Sequence, residues 1–243
     1  DMTIYYEGEL PPMAEFDRIR VENGGGERKW MIGDHSTGSF AAAYDVNGIE
    51  VQIGHTTIAE LQKQFAVVLV QHETDTPLHK ALEGTLNSIA LYGESYLEGW
   101  KEQARHYPDE LAEAMVRKNL QFFPVWGLLP HFETRDSNLW FNQILVEASQ
   151  RMIGALAGLN RLYFTTFQFK RMGYFINQMA HKPENFAERI DGLFKSDLQT
   201  AAFELEKLVQ ETFEMIEVHM PQIDTSMAKR RIGWRIQPWD PQE

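Results

Sequence analysis

Met2, Ile4 and Tyr6 recur at a period of two, which predicts a strand over 2–6 that Gly8 and the Pro11-Pro12 pair bring to an end. Residues 19–21 are a second short strand candidate, and Gly24-Gly25-Gly26 reads as a flexible turn. Residues 40–46 and 49–54 flank Asn47-Gly48, the strongest short-range hairpin signal. Thr56-Thr57 then caps a helix expected over 58–70. A helix near 79–87 and a strand at 89–92 are expected to close the sheet region. Beyond Ser95 the period changes to that of helices. One is expected over 96–106, and another opens at Pro108-Asp109-Glu110, where proline is tolerated and acids suit the helix dipole. A long helix is expected over 137–164, with Phe141, Leu145, Val146, Met152, Ile153, Leu156, Leu159 and Tyr163 as its apolar stripe. Helices follow over 167–180, 184–194 and 197–219, and a tail from Met227 carries Trp234 and Trp239 on the surface.

The expected fold class is therefore α+β: a mixed sheet domain over 1–93, then a helical bundle over 94–243. At 243 residues the chain can bury a core without staples. It has no cysteine, which removes disulfides, thiolate metal sites and cysteine nucleophiles and suits a reducing cytoplasm. No apolar run reaches the roughly 20 residues of a membrane span, so no membrane partner is expected. The net charge of -12 is relieved only by the short basic knots Lys170-Arg171 and Lys229-Arg230-Arg231. These are too few to displace the counterions of a nucleic-acid polymer, but enough for a triphosphate. Strand alternation already runs at the first residues, Asp1-Met2-Thr3, so a further segment is expected upstream.

Glu50 shares a strand face with Gln52, away from Ile49, Val51 and Ile53. That pair is either the solvated face of a hairpin or one half of a carboxylate site for Mg²⁺, a cation that prefers oxygen ligands. Among the histidines, His72 and His79 are seven apart and no His-Glu-x-x-His run exists, so zinc is not expected. His55 follows the Glu50 strand and is read as a surface histidine with the Glu50 cleft in reach. Gly24-Gly25-Gly26 lacks the lysine of a phosphate loop, and no Gly-x-Ser-x-Gly elbow is present.

The opening Asp1-Met2-Thr3-Ile4-Tyr5-Tyr6 resembles the end of the nucleotidyltransferase superfamily signature, a Gly-Ser turn followed by an Asp-x-Asp pair running into an apolar strand. The stretch Gly48-Ile49-Glu50-Val51-Gln52-Ile53 resembles the family's later strand, which bears a third carboxylate. In the helical half, Leu159-Asn160-Arg161-Leu162-Tyr163-Phe164 with Lys170 is similar to a stretch of small bacterial nucleotidyltransferases, including the kanamycin-type adenylyltransferases and an uncharacterised family close to them. The resemblance covers roughly residues 1–7, 38–62 and 137–172.

It implies a metal-dependent transfer of a nucleoside monophosphate from a triphosphate to a hydroxyl of a small molecule or protein. Asp1 and Glu50 would be the catalytic, Mg²⁺-binding carboxylates, and Asn160, Tyr163 and Lys170 the nucleotide contacts. For the last three a structural reading stands beside the functional one: a helix cap for Asn160, a core position for Tyr163 and a solvated cation for Lys170. The family's antibiotic-modifying members carry a glutamate early in the bundle. The corresponding stretch 119–129 has no acid, Glu113 and Glu133 lying outside it, which argues against an aminoglycoside acceptor. A non-catalytic binding or interaction module on the same fold is the alternative, and a homodimer is left open.

Overall fold

The computed structural model describes residues 2–235. Asp1 and Trp239 lie outside the described residues. The fold is α+β, and two compact units divide after Val70.

In the first unit, β1 (Met2–Tyr6), β2 (Gly25–Asp34), β3 (Ser39–Val46) and β4 (Ile49–Thr57) form a four-stranded mixed sheet in the order β1-β4-β3-β2. The strand β1 runs parallel to β4, with Met2 beside Ile53 and Tyr6 beside Thr57, while the β2–β3 and β3–β4 pairs are antiparallel. The β3–β4 hairpin forms at its expected turn, where Asn47 (φ 51°) and Gly48 (φ 81°) both take the left-handed conformation that a two-residue connection demands. Helix α1 (Met13–Glu22) lays Met13 and Phe16 on the sheet face of Leu10, Phe40 and Ala42. Burying a side chain such as Phe40 contributes about 1.5–3 kcal/mol.

The strand expected at 19–21 is instead the last turns of α1. Its helical spacing lets Arg18 pair with Glu15 and with Glu22, and seats Phe16 in the core, which outweighs the β-branched preference of exposed Ile19 and Val21. The expected glycine turn is shorter too, since β2 begins at Gly25. Helix α2 (Ile58–Leu69) follows β4, and Thr57 Oγ1 accepts from Glu60 N at 3.1 Å, the cap its sequence predicts.

The second unit opens at Gln71, so the expected boundary at 93 lies inside it. It contains α3 (His79–Asn87), α4 (Glu94–Arg105), α5 (Asp109–Asn119), α6 (Leu129–Glu133), α7 (Asn138–Leu159), α8 (Met172–Asn177), α9 (Phe186–Leu193), α10 (Leu198–His219) and α11 (Ser226–Ile232). No strand forms at 89–92. Ile89, Leu91 and Tyr92 are more than four-fifths exposed, with no neighbouring strand to satisfy their backbone, and the stretch only links α3 to α4. Among the described residues no strand lies beyond Ser95, as the change of period there predicts.

The long helix α7 is the axis of this unit. Its stripe is buried as expected from Phe141 to Leu159 except Val146, which is 43% exposed. Helix α5 packs directly on α7 because residues 154 and 158 are glycines. A Cβ at Gly158 would stand 2.8 Å from Met115 Cβ, and one at Gly154 2.8 Å from the Asn119 carboxamide. Helices α9 and α10 are tied by Arg189, whose Nη1 and Nη2 both donate to the Glu211 carboxylate at 2.7 and 2.8 Å. Helix α7 stops at Leu159, five residues before its expected end, and α8 is only the 172–177 part of the helix expected over 167–180. The tail opens with helix α11, and Trp126 Nε1 holds its end by donating to Ile232 O at 3.0 Å. No helix among the described residues is long and apolar enough to cross a membrane.

Candidate functional site

Glu50 stands near the turn end of β4, directly across from Asp45 on β3. Two carboxylates facing each other across a ladder repel, and Lys29 resolves the repulsion. An irregularity in β2 between Arg28 and Trp30 displaces Lys29 so that its Nζ lies 2.8 Å from Asp45 Oδ1 and 3.2 Å from Glu50 Oε2. Gln52 Nε2 donates to the other Glu50 oxygen at 2.8 Å, as the shared strand face predicts. These bonds, Gln52 first and Lys29 next, hold the Glu50 carboxyl below its ordinary range, so it is ionised at neutral pH. The ammonium of Lys29 is held above its usual range, chiefly by Asp45.

The parallel ladder begins at Met2 beside Ile53 and runs away from Glu50. Glu50 therefore sits three residues before the first rung, on the side from which the chain enters β1. The other expected carboxylate, Asp1, is outside the described residues.

A magnesium ion needs several oxygen ligands around one point. Here an ammonium already bridges the two carboxylates, and among the described residues no group of three or more His, Asp or Glu gathers. The described residues do not by themselves make a magnesium site.

His55 is not a surface residue on the Glu50 cleft. Strand alternation turns it to the opposite face, where its Nδ1 lies 2.9 Å from Tyr6 Oη and its ring stacks on Phe40 with centroids 4.8 Å apart. Burial lowers its pKa to about 4.

The three expected nucleotide contacts lie in the helical unit. Asn160 ends α7: its Nδ2 donates to Leu156 O at 2.7 Å and His181 O at 2.8 Å, while its Oδ1 accepts from His181 N at 2.9 Å. The carboxamide is occupied in clamping the 181 loop to the helix end. Tyr163 is buried against Tyr107, and its hydroxyl donates to Ala104 O at 2.7 Å. Burial raises its pKa. These contacts account for Asn160 and Tyr163 as parts of the fold, the structural member of each pair of readings. Lys170 differs from both, being exposed, with no described hydrogen bond or ion pair.

Two polar clefts in the same unit escape a reading of sequence, because each is assembled from distant segments. In one, of about 270 Å³, the His181 and His219 rings lie with centroids 3.8 Å apart and planes tilted by 37°, beside Glu113 and the Asp109–Arg161 ion pair. The other, of about 310 Å³, lies between α5, α7 and the segments around Thr74 and Thr165. The only advance signal of the second was the Glu147–Arg151 spacing on α7.

No family model matches the chain, and no curated protein matches it.

Proposed function

We propose that this chain is a nucleotidyltransferase-fold protein that moves a nucleoside monophosphate from a triphosphate to a hydroxyl of a small molecule or protein. What supports the proposal is the position of Glu50: an exposed, ionised carboxylate that the fold does not need, on the strand beside parallel β1 and just before their first paired residues. In the transfer, the bond from the α-phosphorus to the pyrophosphate oxygen breaks and one from the acceptor oxygen forms, with the acceptor proton leaving to a base. Glu50 is the residue assigned to receive that proton, once Lys29 or Gln52 releases it. Such chemistry ordinarily draws on Mg²⁺ to neutralise phosphate charge, with Asp1 proposed as the further ligand.

A non-catalytic binding module is the second reading, and Lys29 is the observation that favours it. An ammonium held between Asp45 and Glu50 does by itself the neutralising work that a bound cation would do.

The experiment is to incubate the full chain with each labelled nucleoside triphosphate, Mg²⁺ and the small-molecule fraction of a cell lysate as a source of acceptor. Pyrophosphate release is expected, with a loss of about a hundredfold or more for Glu50→Gln. Triphosphate binding without release in the parent chain removes the enzyme and leaves the binding module. Absence of binding to every triphosphate removes both.

A further inference from the structure

The 310 Å³ cleft of the helical unit is built by packing already described. Close approach of α5 to α7 at Gly154 brings Lys118 and Asn119 beside the α7 face of Glu147, Gln150 and Arg151, which helical spacing places together. Thr74 and Asp75 form the facing wall. Two cations, Lys118 and Arg151, balance two carboxylates, Asp75 and Glu147. A polyanion such as a triphosphate would meet both acids here, and a polycation both bases.

Glu147 and Arg151 stand at i and i+4 with the acid first, the spacing and orientation that normally close an ion pair on a helix. They are not paired. Glu147 Oε1 instead accepts from Gln143 Nε2 at 2.8 Å, and Arg151 Nη1 donates to Lys118 O at 3.3 Å. The second Glu147 oxygen, and Nε and Nη2 of Arg151, have no described hydrogen-bond partner. One wall of the cleft thus presents an anion and a cation side by side, each with bonding capacity left.

We infer that this cleft binds a free α-amino acid, its ammonium on Glu147 and its carboxylate on the Arg151 guanidinium. A zwitterion is the small molecule whose two charges lie close enough together to satisfy both groups at once. The guanidinium fork is suited to the planar carboxylate. Gln150 and Thr74 supply neutral donors and acceptors for what remains of the ligand, and the volume is at the small end of ligand sites. The inference does not use the nucleotidyltransferase proposal, and neither depends on the other's outcome.

The test is calorimetric titration of the full chain with each standard L-amino acid, with glucose and inorganic phosphate as controls. For the tightest amino acid, the matching amine without a carboxylate and the matching acid without an ammonium are titrated as well. At least one amino acid is expected to bind, with both single-charge analogues about tenfold weaker or worse. Glu147→Gln and Arg151→Gln should each cost a similar factor. Glu147 is exposed, so its substitution keeps the fold, and an unchanged melting temperature verifies this for both variants. Binding by no amino acid, binding indifferent to both substitutions, or preference for glucose or phosphate would each overturn the inference.

Discussion

The sheet unit and the helical unit treat their polar residues in opposite ways. In the helices, Asn160 and Tyr163 are consumed by the backbone, one clamping residues 156 and 181 and the other reaching Ala104 from inside the core. In the sheet, Glu50 is held only by side chains at the surface. A polar residue whose every bond goes to its own backbone has been explained by folding, and its presence argues for nothing further. One whose bonds are exposed and exchangeable is available to a ligand. By that measure Asn160 and Tyr163 speak for how the helices are held together, and Glu50 is the side chain left open to a ligand.

The contrast can be broken by substitution. The largest effect is expected from Asn160→Ala, which removes three hydrogen bonds at about 0.5–1.5 kcal/mol each and should lower unfolding free energy by roughly 1.5–4.5 kcal/mol in denaturant titration. If stability is instead unchanged and only nucleotide binding falls, Asn160 belongs to a site. Tyr163→Phe should cost about 0.5–1.5 kcal/mol, because Ala104 O loses its donor within the core.

The sheet unit offers a pH test. Burial holds His55 near pKa 4 against an ordinary 6.5, so the unfolded chain takes up its proton first as pH falls. The stability that His55 contributes is complete above about pH 6.5 and lost as pH drops towards 4. His55→Phe should flatten that part of the stability profile measured by thermal melts, and an unaltered profile would show that the imidazole is not the group responsible. The smallest effect is expected at Glu50: Glu50→Gln should leave the melting temperature where it is, since surface ion pairs contribute little. A clear drop would make Glu50 a structural residue after all.

Much of the architecture was legible, because Asn47-Gly48, the Thr57 cap and the long apolar stripe of α7 are local signals. The errors fell where distant partners decide. Ile19 and Val21 look like strand residues until Phe16 is seen packed in the sheet's core, and residues 89–92 resemble a strand but have nothing to pair with. The early stop of α7 is written in the Asn160 side chain, whose partner His181 is 21 residues away. Site chemistry was harder still. Glu50 could be named from its strand, but Lys29 reaches it only through an irregularity in a strand 21 residues earlier.

That irregularity also bears on what the sheet's edge offers to another strand. Strand β2 is one of the two outer members of the sheet among the described residues, and Trp30, Met31 and Ile32 run along it partly exposed. A straight edge of that composition would be a template for another chain's strand. The break in register at Arg28–Trp30 interrupts the row of hydrogen-bonding groups and sets a charged side chain beside it. Restoring a regular β2 would therefore do more than release Glu50. It would leave an unbroken row of backbone donors and acceptors at the edge, the form of strand that another chain can extend.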